Sequence, residues 1–248
     1  MVVLSKIYTR TGDAGQTHLS DMSRAPKTDA RVAAYGDVDE ANSAVGMALA
    51  CADLPPAIAE VLTVIQNELF DLGADLSTPL VDEPEFEPLR IEQPSVDRLE
   101  HWCDEFSADL PTLRSFILPG GSPSAAALHL ARAVTRRAER SAWAAVAAYG
   151  SGDQGGINPL AVTYLNRLSD LLFVLARAAL PTDANGQPTE VLWVPGTDRP
   201  QPDRTRRRHS EDDGAPGAAV AEDPADESDA DESDADESAA GESAATPE

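Results

Sequence analysis

The chain has 248 residues, a formal net charge of -24, and 42% apolar but only 5% aromatic residues. This length suits one domain or two small ones, and the scarcity of aromatic residues favours closely packed helices over a β-sandwich. The negative charge argues against nucleic acid and anionic membranes as partners, so any anion that binds must meet a local basic pocket.

The two cysteines, Cys51 and Cys103, lie far apart in the sequence, so neither a metal knuckle nor a disulfide framework is predicted. No apolar run approaches the length needed to span a membrane. The first residues, MVVLSKIYTRTGDAG, lack the apolar region and cleavage site of a secretory signal. We therefore predict a cytoplasmic protein without a membrane segment.

Residues 1–30 are rich in Gly, Thr and Asp and are predicted to form loops, with a short extended start at Lys6–Thr9. Helical periodicity then predicts five helices with short connections. The predicted helices cover about Arg31–Ala52, Ala57–Ser77, Ser95–Ser107, Ser124–Tyr149 and Pro159–Leu180. The expected fold is all-α, an up-and-down five-helix bundle.

The apolar pattern of the core ends near Asp198, after one last apolar group at Val191–Val194. Residues 199–248 hold 16 acidic residues against 5 Arg, and residues 225–238 read ADESDADESDADES. Such a stretch cannot bury enough apolar surface to offset its ordering entropy. We predict a folded domain over 1–198 and a disordered acidic tail over 199–248. The basic island RTRRRH at 204–209 either contacts nucleic acid or an acidic partner, or belongs to a solubilising tail that folds back weakly on itself.

The fourth predicted helix carries a stripe of charge. Arg132, Arg136 and Arg140 are spaced four residues apart and share one side of the helix, with Glu139 beside them. In so acidic a chain, the stripe is either an anion site or a solvated face supported by i,i+4 pairs.

The segment TRTGDAGQT, Thr9–Thr17, is a second candidate site. Its two glycines allow a tight turn whose N–H groups could bind a polyphosphate, whereas an ordinary Gly-Asp turn is the alternative interpretation. It is not a Walker A loop, because no GKS/T follows.

Polar clusters also occur on two of the helices. Asp39, Asn42 and Ser43 share a face of the first helix, and Asn166, Ser169 and Asp170 share a face of the fifth. The first cluster either belongs to a site or is an exposed acidic face or a charge at a helix N-terminus. The second either belongs to a site or is a polar ridge that pins helix packing. An Arg of the fourth helix is the expected partner of Asp39.

No protein-bound metal centre is predicted. The histidines lack the spacing of a zinc site, and no Glu-x-x-His pair suggests a di-iron bundle. We expect His129 to pack, or to support other site residues, rather than to be a ligand.

Four stretches together, in this order, resemble the PduO-type ATP:cob(I)alamin adenosyltransferases: TRTGDAGQT, RVAAYGDVDEANSAVG, FILPGGSPSAAALHLARAVTRRAER and NRLSDLLFVLAR. The resemblance covers about Lys6 to Trp193. It implies a homotrimer with active sites between adjacent subunits. The implied reaction moves the 5′-deoxyadenosyl group of ATP to the cobalt of cob(I)alamin and releases triphosphate, with Mg2+ accompanying ATP. An adenosylcobalamin-dependent mutase and a flavoprotein reductant are the implied partners.

The resemblance also implies a role for individual residues. The N-terminal loop would wrap the nucleotide, the fourth and fifth helices would add contacts to it, an ion pair would cross the subunit boundary, and an aromatic ring would pack beneath the corrin. The loop residues are Thr9, Arg10, Thr11, Gly12, Asp13, Gly15 and Thr17; the helical nucleotide contacts are Arg136, Glu139 and Asn166, supported by Arg137 and Arg140; the ion pair is Asp39–Arg132; and the ring is Phe116.

Two positions depart from the family pattern. Many relatives have Lys where this chain has Ala14, so either Arg10 or Lys27 supplies the missing charge or ATP binds less tightly. The second position is Trp193, which aligns only loosely with a family residue that closes over the corrin. The missing Lys favours an alternative function, a non-catalytic cobalamin or nucleotide-binding chaperone or sensor. A scaffold that binds partners through its acidic tail is a third possibility.

Overall fold

The computed structural model describes Tyr8 and residues 10–199. The predictions for Thr9, for the rest of the extended start, and for positions 200–248 of the acidic tail lie outside these residues.

The described chain contains five α-helices: α1 (Ala30–Leu49), α2 (Pro56–Ser77), α3 (Gln93–Ser107), α4 (Pro123–Tyr149) and α5 (Pro159–Ala178). The predicted all-α five-helix bundle is therefore confirmed. The helices begin where the sequence supplies start signals. Ser122 caps α4 by accepting a hydrogen bond from Ala125 N at 3.2 Å, and α2 to α5 all have Pro in their first turn.

The prediction of loops up to residue 30 is wrong for two short segments. Strands β1 (Gln16–His18) and β2 (Arg24–Pro26) pair in an antiparallel hairpin. Strands of three residues are too short to show an alternating pattern, so the sequence carried no signal for them. The hairpin is attached to the bundle where Ser20 N donates to Ser77 O at 3.3 Å.

The most extensive contact between two helices is that of α1 with α4. This part of the core is built largely from small side chains. Both buried faces are rich in alanine: Ala34, Ala41, Ala44 and Ala48 on α1, and Ala131, Ala138, Ala142 and Ala145 on α4. Small residues let the two backbones approach closely.

Two buried charged residues tie the ends of the helices together. The guanidinium of Arg31 donates to Leu76 O at 2.9 Å and to Gly155 O at 2.6 Å, and burial lowers its pKa. The carboxylate of Asp75 accepts hydrogen bonds from Arg90 Nη1 at 2.7 Å and from Asn158 Nδ2 at 2.7 Å. Together these contacts fix the C-terminal end of α2 against α1, against the segment of Arg90, and against the loop that leads into α5.

By length and composition alone, α5 is apolar enough to cross a membrane, which the sequence analysis did not anticipate. Its side chains Leu165, Leu168 and Leu172 are nevertheless buried in the bundle. The central helix of a packed core meets the same criterion.

Candidate functional site

The N-terminal loop forms a turn that ends at β1. Gly15 has a positive φ of 79° and donates its N–H to Gly12 O at 3.2 Å, while Lys27 N donates to Gly15 O at 2.8 Å. The Nζ atom of Lys27 lies only 3.2 Å from the position that a Cβ on Gly12 would occupy. The structure therefore brings the ammonium of Lys27 to the glycine turn, beside Gly12.

The other loop residues predicted for the site occupy the same region. Arg10 has a positive φ of 62°, and its guanidinium lies 5.6 Å from the centre of the Tyr8 ring. Thr11 and Asp13 are exposed, and Thr17 pairs with Ala25 in the hairpin. Exposed hydroxyl, carboxylate and guanidinium groups thus surround the turn.

The charged stripe lies on the outer side of α4. Arg136 and Arg140 are exposed, and Arg140 Nη1 donates to Arg136 O at 3.0 Å. Glu139 Oε1 accepts a hydrogen bond from Asn166 Nδ2 of α5 at 3.1 Å. The structure therefore brings together Glu139 and Asn166, two residues predicted to contact the nucleotide from different helices.

Arg137 pairs with α1 of its own chain. Its guanidinium forms ion pairs with Glu40 and, at 3.4 Å, with Asp37, both on α1. The hydrogen bond to Glu40 and the nearby carboxylates raise the pKa of Arg137. This residue holds α4 to α1 of its own chain and does not extend the exposed stripe.

Asp39 lies on the other side of α1. Two residues of helix turn the side chain by about 200°, so Asp39 points away from the face where Asp37 meets α4. It is exposed and lines a cavity of about 540 Å³ that contains Tyr35 and Phe70 but no residue of α4. The expectation that an Arg of α4 pairs with Asp39 is not met within one chain.

The two polar clusters on the helices contribute in part to packing. Asn42 Nδ2 donates to Gln66 O of α2 at 3.0 Å. Ser169 is buried and donates to Asn166 O at 2.9 Å, whereas Asp170 forms an exposed pair with Arg167. Only Asn166 of the second cluster reaches a predicted site residue on another helix.

A second cavity, of about 630 Å³, lies at the Arg132 end of the stripe. Phe116 is 79% exposed, and its ring meets that of Trp193 edge-on, with centroids 6.3 Å apart. Arg132 enters the same cavity, with its guanidinium 5.5 Å from the centre of the Phe173 ring. The cavity therefore combines aromatic walls with the side chains of two arginines, Arg114 and Arg132, which suits a large apolar ligand with polar edges.

The segment that carries Phe116 pairs with the segment that carries Trp193. Leu118 N donates to Val191 O at 2.8 Å, and Trp193 N donates to Phe116 O at 2.7 Å. The apolar group at Val191–Val194 is evident from the sequence, but this pairing could not be predicted because the two segments are far apart along the chain. Trp193 is thus part of the cavity wall.

One arginine holds both segments. Arg177 Nη2 donates to Pro111 O at 2.7 Å, and Arg177 Nε binds Glu190 Oε1 at 2.5 Å. The side chains of Arg177 and Glu190 are only 9% and 8% exposed. This buried ion pair fixes the segment that carries Trp193 against the bundle.

Among Tyr8 and residues 10–199, no group of three or more His, Cys, Asp or Glu side chains is placed to hold a metal ion.

Comparisons with known proteins place this architecture. The family profile of Cobalamin adenosyltransferase matches residues 7–179. The corrinoid adenosyltransferase of Mycobacterium tuberculosis is 59% identical over 198 residues, which cover 80% of this chain and 97% of the relative. That of Bacillus subtilis is 45% identical over 176 residues, covering 69% and 85%. A variant PduO-type ATP:corrinoid adenosyltransferase from Lactobacillus reuteri, complexed with cobalamin and ATP, superposes with a TM-score of 0.65 at 38% identity, covering 77% of this chain and 100% of that chain.

We expect Glu190→Gln to loosen the segment that carries Trp193, because Arg177 would lose its buried ionic partner. Breaking a buried pair costs about 3 kcal/mol, and urea unfolding would measure this loss. In a background with Trp102 and Trp143 replaced by Phe, the emission of Trp193 should shift to longer wavelength as its ring leaves the cavity.

The matched control is Glu100→Gln, which breaks the exposed pair of Glu100 with Arg167. This change should cost less than about 1 kcal/mol and leave the emission unchanged. Equal losses of unfolding free energy in the two variants would show that the buried pair does not hold the segment of Trp193.

Proposed function

This chain belongs to the cobalamin adenosyltransferase family, and we propose that it forms a homotrimer with each active site between adjacent subunits. It transfers the 5′-deoxyadenosyl group of ATP to the cobalt of cob(I)alamin and gives adenosylcobalamin and triphosphate. The orientation of Asp39 carries the proposal of an intersubunit site. This carboxylate faces away from α4 of its own chain and is exposed, so a neighbouring subunit can bring Arg132 to it.

The chemistry requires no nucleophile from the protein. Cobalt in the Co(I) state donates an electron pair to the 5′ carbon of ATP, and the C5′–O bond breaks as the Co–C bond forms. Triphosphate leaves with the bonding pair, and cobalt becomes formally Co(III). The protein contributes by aligning the two substrates and by stabilising the charge on the leaving group.

We propose that two sets of residues bind the nucleotide. Lys27 and the N–H groups of the glycine turn would meet the phosphates from one subunit. Arg136, Glu139 and Asn166 would meet the nucleotide from the other. The hydrogen bond between Glu139 and Asn166 supports this, because it orders both side chains before the nucleotide arrives. Arg140 would add positive charge beside Arg136.

Phe116 is proposed to pack beneath the corrin. Its ring is largely exposed at an aromatic cavity, so it can occupy the position of the lower axial ligand of cobalt. Excluding that ligand makes cob(II)alamin easier to reduce to the reactive Co(I) state. The pairing with the segment of Trp193 would hold the ring in place during this step.

The remaining partners follow from the reaction. Mg2+ binds readily to substrate phosphates while keeping several waters, so we propose that it enters with ATP. The Co(I) state requires a strong reductant, for which a reduced flavoprotein is suitable, and an adenosylcobalamin-dependent mutase would consume the product. We propose that the enzyme works in the cytoplasm. Ala14 had favoured a non-catalytic chaperone or sensor, but Lys27 beside Gly12 weakens that argument.

The direct test mixes the protein, ATP, cobalamin and a strong chemical reductant and follows the corrin spectrum. We expect a light-sensitive cobalt–carbon product and one triphosphate for each corrinoid converted. Binding of ATP and corrinoid without this product would instead support the chaperone or sensor.

Subunit mixing tests the proposed ion pair. Asp39→Ala and Arg132→Ala should each abolish most activity while the oligomer persists. If Asp39 meets Arg132 of a neighbouring subunit, a 1:1 mixture of the two variants that has exchanged subunits at random should regain about one quarter of its sites, because each mixed trimer has one interface that combines the two intact residues. A pair within one chain would regain none, and full activity in either single variant would exclude the pair.

Lys27→Ala should raise the KM for ATP about tenfold, since a charge-assisted contact to phosphate would be lost. Adding Ala14→Lys to this variant should restore much of the affinity, whereas Ala14→Gln, of similar length but uncharged, should not. The steady-state KM for ATP at saturating corrinoid measures both effects. An unchanged KM in Lys27→Ala would remove Lys27 from the nucleotide site.

A further inference from the structure

His129 is a buried polar residue to which the proposed function has assigned no role. It lies on α4 one turn before Arg132, and its side chain is among the buried polar groups, with 5% of its surface exposed. Its Nδ1 atom has no hydrogen-bond partner among the described residues. A buried polar atom without a partner is costly, so such an atom at a cavity indicates that a bound group completes it.

The position of His129 gives access to that group. The residue lines the cavity of about 630 Å³ together with Phe116 and Trp193. Its ring also meets the ring of Phe173 edge-on, with centroids 6.2 Å apart, and the guanidinium of Arg132 contacts the same ring. His129 and Arg132 are therefore two polar side chains on one aromatic wall.

The ring is expected to be uncharged at neutral pH. Burial lowers the pKa of His129, and the positive charge of Arg132 lowers it further. A neutral imidazole offers either an N–H donor or a lone pair at Nδ1, depending on the tautomer. Such a group suits a neutral ligand that can both donate and accept, and it suits a phosphate poorly.

A primary carboxamide has this property, and corrinoids carry several carboxamide side chains around an apolar macrocycle. We propose that His129 binds a carboxamide of the corrinoid that occupies the Phe116–Trp193 cavity. This inference rests on the proposed function, and it replaces the expectation that His129 merely packs or supports its neighbours.

The test measures the equilibrium affinity for cob(II)alamin by its visible spectrum, and the affinity for ATP separately. His129→Phe keeps a planar ring but removes both nitrogens, and it should weaken cob(II)alamin binding about tenfold. ATP binding should be unchanged. His129→Asn places a polar atom near the position of Nδ1 and should restore affinity to within about threefold of the wild type.

Thr135→Val is the matched control. Thr135 is also on α4, is fully buried, and has a hydroxyl without a partner, but it lines neither cavity that His129 lines. Its replacement should leave the affinity for cob(II)alamin unchanged. A loss equal to that of His129→Phe would mean that any polar deletion in this helix disturbs the cavity, and the proposal would be wrong.

A second arm changes the ligand, so it does not depend on whether the variants fold. Cobalamin derivatives in which single carboxamides are hydrolysed to carboxylates should bind the wild type unequally, and one isomer should bind about tenfold more weakly. That isomer should lose nothing further in His129→Phe. Equal binding of all isomers to the wild type would overturn the proposal.

One alternative is that a water molecule satisfies Nδ1. His129 also borders a smaller cavity of about 150 Å³, beside Gly121 and Leu180. In that case a folded His129→Phe protein would bind cob(II)alamin as the wild type does, and the inference would fail while adenosyl transfer continued. If the wild type instead formed no adenosylcobalamin but its corrinoid affinity still depended on His129, the proposed function alone would fail.

Discussion

The close packing of α1 against α4 is the constraint on which the rest of the site depends. Alanine dominates both buried faces, so the two helix backbones lie close together and α4 cannot rotate about its axis without steric overlap. Arg137 fixes the register by binding Asp37 and Glu40 of α1. With this face of α4 committed to the core, Arg136 and Arg140 are directed out of the bundle.

Around this contact, buried polar groups hold the ends and sides of the helices. Tyr164 of α5 donates to Glu68 Oε2 of α2 at 2.8 Å, and Glu68 also pairs with Arg98 of α3. Burial raises the pKa of Tyr164 well above its usual value. Like Arg31 and Asp75, this cluster joins elements that are distant in sequence. The site residues therefore project from helices whose relative positions are fixed by directional bonds as well as by apolar contact.

The sequence predicted the parts of the structure that depend on local signals. The start and end of α4 follow from Ser122, a first-turn proline and Gly150, so both were predicted within one residue. The partner of Arg137 and the pairing of Trp193 with Phe116 could not be predicted, because each depends on contacts between segments far apart in the chain. Family resemblance named Phe116 and Arg132, but only the structure brings them into one cavity.

The pairing of Arg137 with two carboxylates also affects how ATP reaches the protein. Because the two carboxylates neutralise Arg137, the positive charge on α4 is confined to the line of Arg132, Arg136 and Arg140. The chain as a whole has a formal net charge of -24. Charges more than about 8 Å away are largely screened at physiological ionic strength, so a narrow stripe produces no extended attractive field. For the proposed nucleotide site, we therefore expect ATP to arrive without the long-range steering that accelerates anion capture by broad basic clefts. Discrimination between ATP and other polyphosphates then resides in the dissociation rate rather than in the encounter rate.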